Sequence, residues 1–362
     1  MKICFFGSSL VSSYWNGAAT YYRGILKALA ALGHEIVFFE PDAFERQSHR
    51  DISDPEWAKV IVYPATSEGW QRSLEEAVRC ADLLVKASGV GVFDRELEIA
   101  VAETPTRARR VYWDVDAPAT LDEIAANPTH HLHAAIPHYD VVFTYGGGAP
   151  VVRAYRSAGA RDCVPIYNAL DPTNHFPVDP VHDFSCKLGF LGNRLPDRES
   201  RVDAFFLGAA RRLPHQQFLL GGSGWETKEL PANVKLMGHV GTNHHNAFFC
   251  SGLATLNVNR ESMARYGFSP PTRVFEAVGA GACLITDRWK GIDLFLEPNR
   301  EVLVAADGEQ VAAHLDGLTP GRAREIATRA RRRILAHHTY AQRALQVHEL
   351  LEGSSTQAGA AG

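Results

Sequence analysis

Along the chain, apolar runs of four to seven residues alternate with amphipathic stretches of ten or more. KICFFG, EIVFFE, VIVYPA, DLLVKAS, RRVYWDVD and DVVFTYG are continuous rather than alternating, which predicts strands of a parallel sheet buried on both faces. Between the first two runs, Tyr22, Ile25, Leu26, Leu29 and Leu32 share one face of a helix over 21–33 that Gly33 ends. The stretch 163–184 then brings four prolines and several turn formers, predicting a connection between domains. A second series follows: CKLGFLGN, QFLLGG, VKLMGH, ATLNVN, ACLITD and EVLVA. The pattern predicts an α/β protein of two tandem Rossmann-like domains, with a ligand cleft at the carboxyl ends of the strands. The first domain is expected over 1–168 and the second over 169–335. A long helix over 321–352, broken around LAHHTY, is expected to send residues 336–352 back to brace the first domain. The small polar residues of 353–362 predict a disordered tail.

Composition changes this picture little. With 362 residues, of which 46% are hydrophobic and 22% charged, the chain can fill two cores. A net charge of −4 argues against a dedicated nucleic-acid binder. The six cysteines are scattered without a CxxC pair, and no apolar run is long enough to span a bilayer. A chain that starts directly into a strand, without a signal peptide, predicts a cytoplasmic protein with no integral membrane contact. Its state is left as monomer or homodimer.

Candidate chemistry gathers at predicted strand ends. In RYGFSPPTRVFEAVGAGACLITD, the prolines suit a helix start, and free amides near Ser269, Thr272 and Arg273 would form an anion site with the helix dipole and the Arg273 charge. Glu276 lies one turn on, where a carboxylate can accept from vicinal ribose hydroxyls. An exposed helix start with a dipole-favoured glutamate fits the same residues. Asn193, Arg194 and Arg198 follow the first strand of the second domain, where forked donors would neutralise phosphate; surface arginines at a solvated helix start fit equally.

At the end of a first-domain strand stands WDVDAP. A metal-binding reading of its D-x-D is set aside, because helix termini and arginines already serve a diphosphate. One of Asp114 and Asp116 would act as base or bind an acceptor hydroxyl, and the other would cap a helix; Asp116, farther out, is preferred. The GGG of 146–148 lacks both phosphate-loop spacings. The histidine run over 130–138 reads as surface.

The chain resembles the CgeB-type glycosyltransferase-like proteins, within the GT-B glycosyltransferases, nearly from end to end. The resemblance is carried by SSYWNGAATYYRGILKALAALGHEIVFFEPD, WDVDAPATL, IPHYDVVFTYGGG, PIYNALDPTNHFP, GFLGNRLPDRESR and NVNRESMARYGFSPPTRVFEAVGAGACLITDRWKGIDLFLEPNREVLV. It implies that Glu276 binds the ribose of a nucleotide-sugar and that Gly17 lies on the loop meeting the donor phosphates and the acceptor. Gly238 and His239 are expected to face the nucleobase. Retaining members often carry a glutamate eight positions before the ribose-binding one; Phe268 stands there instead, so the stereochemical outcome does not carry over.

The function expected is transfer of a hexosyl or related glycosyl group from a nucleotide-diphosphate-sugar, with UDP, dTDP and GDP left open. The acceptor would be a small molecule or glycan, and no metal or other cofactor is called for. Two alternatives stand beside it. One is a catalytically degenerate protein that binds nucleotide-sugars or a partner; the other is a glycosyltransferase acting on modified DNA bases.

Overall fold

A computed structural model describes residues 1–14 and 16–358, with side chains through residue 352. The chain forms two compact units, one of residues 1–167 and 340–362, the other of residues 168–339.

In the first unit, seven parallel strands are ordered β3-β2-β1-β4-β5-β6-β7. They are β1 (Lys2–Phe6), β2 (Glu35–Asp42), β3 (Ala58–Pro64), β4 (Leu83–Ala87), β5 (Arg109–Asp114), β6 (Val141–Thr144) and β7 (Cys163–Pro165). All but β7 grow from the apolar runs. β7 occupies the first three residues of the proline-rich stretch read as a connection: Val142, Phe143 and Thr144 pair with Cys163, Val164 and Pro165. Proline is tolerated there because β7 is the sheet edge and needs no further ladder donor. β3, at the opposite edge, is apolar yet half-exposed, with Val62 39% accessible.

The first core is aromatic. Phe5 stacks on Phe38 with ring centroids 5.4 Å apart, Phe6 on Phe39 at 4.7 Å, and Trp113 meets Phe143 edge-on at 5.0 Å. Such pairs add about 0.5–1.5 kcal/mol each beyond the area they bury.

The second unit carries β8 (Cys186–Leu191), β9 (Phe218–Gly221), β10 (Val234–Gly238), β11 (Gly252–Asn257), β12 (Leu284–Asp287) and β13 (Leu303–Ala305). They form a parallel sheet in the order β10-β9-β8-β11-β12-β13. Its core joins Leu188, Phe190, Phe206, Phe218, Trp225 and Ile285, among others. In both sheets the first strand of the unit lies centrally and the order reverses beside it. The loops leaving the carboxyl ends of these strands are therefore where a ligand can enter.

The expected break near LAHHTY falls at His338–Thr339, between helices Pro320–His337 and Tyr340–Ala358. The latter packs on helix Ala19–Ala31 within the first unit. It runs through residue 358, so helix replaces the first part of the expected disordered tail; 359–362 lie outside the described residues.

The seat of this helix is narrow. A Cβ added at Gly24 would stand 2.2 Å from the Tyr340 ring. Gly24→Ala is therefore expected to lower stability by about 1–3 kcal/mol, as overpacking does. Urea unfolding followed by circular dichroism measures it, and an unchanged midpoint would show that the two helices separate freely.

Candidate functional site

In the first unit, the loop after β1 is tied down by buried polar groups. Glu40 of β2 is fully buried; its carboxylate accepts from Leu10 N at 2.6 Å, Ser9 Oγ at 3.0 Å and Gln47 Nε2 at 2.6 Å. Asn16 donates to the carbonyls of Ser9 (2.9 Å) and Ser12 (3.0 Å) and accepts from Ser8 Oγ (2.9 Å). Arg23, from the following helix, donates to Leu10 O and holds Asp51 bidentately, while Asp51 accepts from Ser13 N. The serines and the Asn-Gly pair thus build a rigid loop instead of a short turn. Gly17 is exposed at its end, and an added Cβ would meet nothing within 4 Å. The fold itself does not demand a glycine there.

WDVDAP separates its two carboxylates. Asp114 ends β5 fully buried and accepts from Ser88 Oγ (2.7 Å), Asp116 N (2.9 Å), Thr120 Oγ1 (3.1 Å) and the Tyr155 hydroxyl. Its acceptor positions are taken up by the protein, so the structure makes it a scaffold for the loop rather than the exposed catalytic carboxylate that was one of the two expectations. Burial pushes its pKa up to about 6, against the opposing hydrogen bonds. Asp116 is half-buried at the start of helix Ala117–Ala126, and its carbonyl accepts from Ala119 N and Thr120 N. It is the outer carboxylate of the pair.

Gly147 and Gly148 hold φ of 89° and 51°, and a Cβ on Gly147 would fall 2.0 Å from Val151. These glycines serve the turn itself. The histidine run is less superficial than its sequence suggests: His131 Nε2 lies 2.5 Å from buried Glu98, in a network with the fully buried Lys86 and the half-buried Asp94. Nothing in the sequence singles out Lys86, a lysine in an apolar strand whose partners arrive from the next helix.

In the second unit, β8 runs into Gly192, and two guanidinium groups meet over that glycine. A Cβ there would fall 2.5 Å from Arg273 Nη2 and 2.9 Å from Arg198 Nη1. Arg273 is 8% exposed. Its Nε donates to Leu191 O at 2.6 Å, its Nη1 to Asn257 Oδ1 at 3.0 Å, and its carbon lies 4.8 Å from the centre of the Phe190 ring. Every one of these partners is neutral, and among the described residues no carboxylate lies within ion-pair distance of Arg273. Burial, then the adjacent Arg198 charge, pull its pKa down. A buried cation without a counter-ion is costly.

Arg194 departs from expectation. Its guanidinium forms two bonds to Glu199, at 2.7 and 2.8 Å, and Lys228 joins Glu199 to Asp203. These bonds pull Glu199 down to about 2. The charge that Arg194 was expected to offer a diphosphate is neutralised within the unit. Asn193, beside it, accepts from Ser223 N and fixes the loop.

Helix Thr272–Gly279 starts after Pro271 without a side-chain cap, and Val274 is its first amide with a main-chain acceptor. Asn168 Nδ2 donates to Pro270 O at 2.9 Å, and the buried Ser269 turns its hydroxyl to Gly267 O. Thr272 and the Arg273 backbone therefore stand at an open helix end. Glu276, one turn on, is half-buried and makes no hydrogen bond to the protein among the described residues. His245 senses its charge, though burial dominates and keeps that imidazole pKa low. Gly238, with φ of 66°, ends β10 and the exposed His239 follows it, and Gly238 O accepts from Gly222 N.

Sequence reasoning missed Gly192, Phe190 and Asn257. The only signal for the first was a glycine at a strand end, and the other two read as ordinary strand residues.

These α/β units match solved GT-B glycosyltransferase structures. Sucrose-phosphate synthase from Thermosynechococcus elongatus is 16% identical with a TM-score of 0.70, over 100% of both chains. Anabaena HepE in complex with UDP-glucose is 15% identical with a TM-score of 0.67, over 98% of this chain and 100% of that one. An alpha-glucosyltransferase in complex with UDP and a 13-mer DNA containing an HMU base is 12% identical with a TM-score of 0.70, over 97% and 99%. At these identities the likeness is one of fold. Residues 198–349 match the model of the glycosyl transferase-like family. No curated protein sequence matches the chain.

The Asp114 cage gives a testable sign. A folded pKa near 6 against 3.8 means that the folded state binds more protons between these values, so this group's contribution to stability grows as pH falls from 6 to 4. Wild type minus Asp114→Asn should therefore shift in favour of wild type by about 2 kcal/mol over that window, most of what a shift of this size carries at 1.36 kcal/mol per pKa unit. Urea midpoints at pH 7, 6, 5 and 4 measure it; a constant difference would show that Asp114 is as solvated in the native state as in the unfolded chain.

Proposed function

We propose that the protein is a GT-B glycosyltransferase of CgeB type. It would move a hexosyl or related glycosyl group from a nucleotide-diphosphate-sugar to a hydroxyl, amine or thiol of a small molecule or glycan. The observation that carries this reading is the uncancelled, buried Arg273 guanidinium beside Arg198, at the start of a helix whose Glu276 makes no hydrogen bond to the protein among the described residues. The family match over 198–349 and the UDP complexes of similarly folded proteins support it.

Each residue then takes a role that its chemistry suits. Arg273, Arg198 and the open amides near Ser269 and Thr272 bind the diphosphate and stabilise the charge that grows on it as the glycosidic bond breaks. Glu276 accepts from ribose hydroxyls, and the backbone at Gly238 and His239 faces the base. Gly17 lets the loop after β1 come close to ligand. Asp116 is the base if the reaction inverts configuration. The arginines and helix end supply the electrostatic work, so no metal enters this reading. The acceptor is taken as a small molecule or glycan because the net charge of −4 offers little to a nucleic acid. Six free thiols suit a reducing cytoplasm, and no helix among the described residues is long and apolar enough to cross a membrane.

The test is calorimetric titration of UDP, dTDP, GDP, ADP and CMP, with and without EDTA. One nucleoside diphosphate should bind unaffected by chelator, and Glu276→Ala should weaken it by about 10- to 100-fold, the worth of hydrogen bonds to a charged group. The 2′,3′-dideoxy nucleotide should lose a similar factor in wild type and little more in the variant. Unchanged binding by Glu276→Ala would remove the ribose assignment. Silence across the panel would favour the degenerate partner protein, and loss with EDTA would bring a metal into the site.

A further inference from the structure

Among the contacts that fix the Arg273 guanidinium, one hydrogen bond comes from a side chain: Asn257 Oδ1 accepts from Nη1 at 3.0 Å. Asn257 is the last residue of β11 and is fully buried. Its amide nitrogen donates to Asn259 Oδ1 at 3.1 Å and Thr286 Oγ1 at 3.0 Å, so the amide can turn only its oxygen to the arginine. The contrast lies one strand away. Asp287, equally buried at the end of β12, receives Arg201 Nη2 at 2.6 Å, together with Thr286 Oγ1 and Asn259 N. At neighbouring strand ends one arginine is thus neutralised by aspartate, while the other is held by asparagine. Packing alone would be served better by a carboxylate at 257, which would pair the cation.

We infer that Asn257 is a positioning residue that holds Arg273 in place without cancelling its charge, leaving the donor diphosphate to be the counter-ion. The inference rests on the nucleotide-sugar reading above. Around Arg273, Arg198 raises the cost of the bare charge, while Glu276 and Asp287 lower it from a distance. Asp287 is committed to Arg201.

Two substitutions separate positioning from plain structural support. Asn257→Asp keeps the shape and adds a counter-charge, and Asn259 Nδ2, which has no acceptor among the described residues, can turn to serve the new oxygen. Asn257→Ala removes the contact and leaves the cation charged. The full chain is titrated with UDP, dTDP, GDP and ADP by calorimetry and melted without ligand.

Asn257→Asp should melt at or above wild type yet bind the preferred diphosphate at least about tenfold more weakly, as expected for a charge interaction withdrawn from the ligand. Its loss for the corresponding monophosphate should be smaller. Asn257→Ala should melt lower but lose less affinity than Asn257→Asp. A purely structural residue would instead make affinity follow melting temperature. Diphosphate binding by Asn257→Asp within about twofold of wild type, or a larger loss in Asn257→Ala, would overturn the inference, since a withdrawn charge contact is worth more than that. If wild type binds none of the four nucleotides, the nucleotide-sugar reading falls first, and the inference with it.

Discussion

Arg273 is the constraint on which the loops at the carboxyl end of the second sheet depend. A guanidinium taken out of water without a carboxylate costs several kcal/mol, and a neighbouring guanidinium adds to that cost. The surrounding residues make sense as responses to it. Gly192 has no Cβ because both guanidinium groups occupy its place, Leu191 turns a carbonyl to Nε, and Phe190 lays a ring under the charge. None of these removes the positive charge. A fold that keeps such a charge bare at an open helix end is preorganised for an anion, because the reorganisation that water would need has been done during folding.

The first unit shows the complementary arrangement. Several of its buried charges are satisfied internally, Glu40 by the loop after β1, Asp114 by four donors and Lys86 by Asp94 and Glu98, while the buried Arg46 donates to the carbonyls of Ser8 and Val90. They hold loops in place, with Gly17 exposed at the end of one of them. The long exit from β1 gains its length from this internal bonding, since each serine of 8–13 that the network uses fixes another part of the loop.

Much of this was legible in the sequence. Continuous apolar runs reveal buried parallel strands because both faces of such a sheet are covered, and among the described residues twelve of the thirteen strands arose from them. β7 was hidden because prolines read as punctuation, although a sheet edge accepts them. Glu276 and Arg273 were visible because prolines, a helix start and a following glutamate have fixed spacing along one element. Arg194 could not be sorted from Arg198, since both follow the same strand. What separates them is Glu199, which takes the first, and Gly192, which makes room for the second. Asn257 and Gly192 act through strands that come together only in the sheet, so no local pattern marks them.

The most direct measurement is the response of Arg273→Met to nucleoside diphosphate. Methionine fills the apolar part of the site and removes the bare charge. The variant should fold with a melting temperature within a few degrees of wild type or above it, and the ligand-induced rise expected in wild type should disappear. A variant that keeps the full rise would contradict the assignment of Arg273 as the diphosphate anchor.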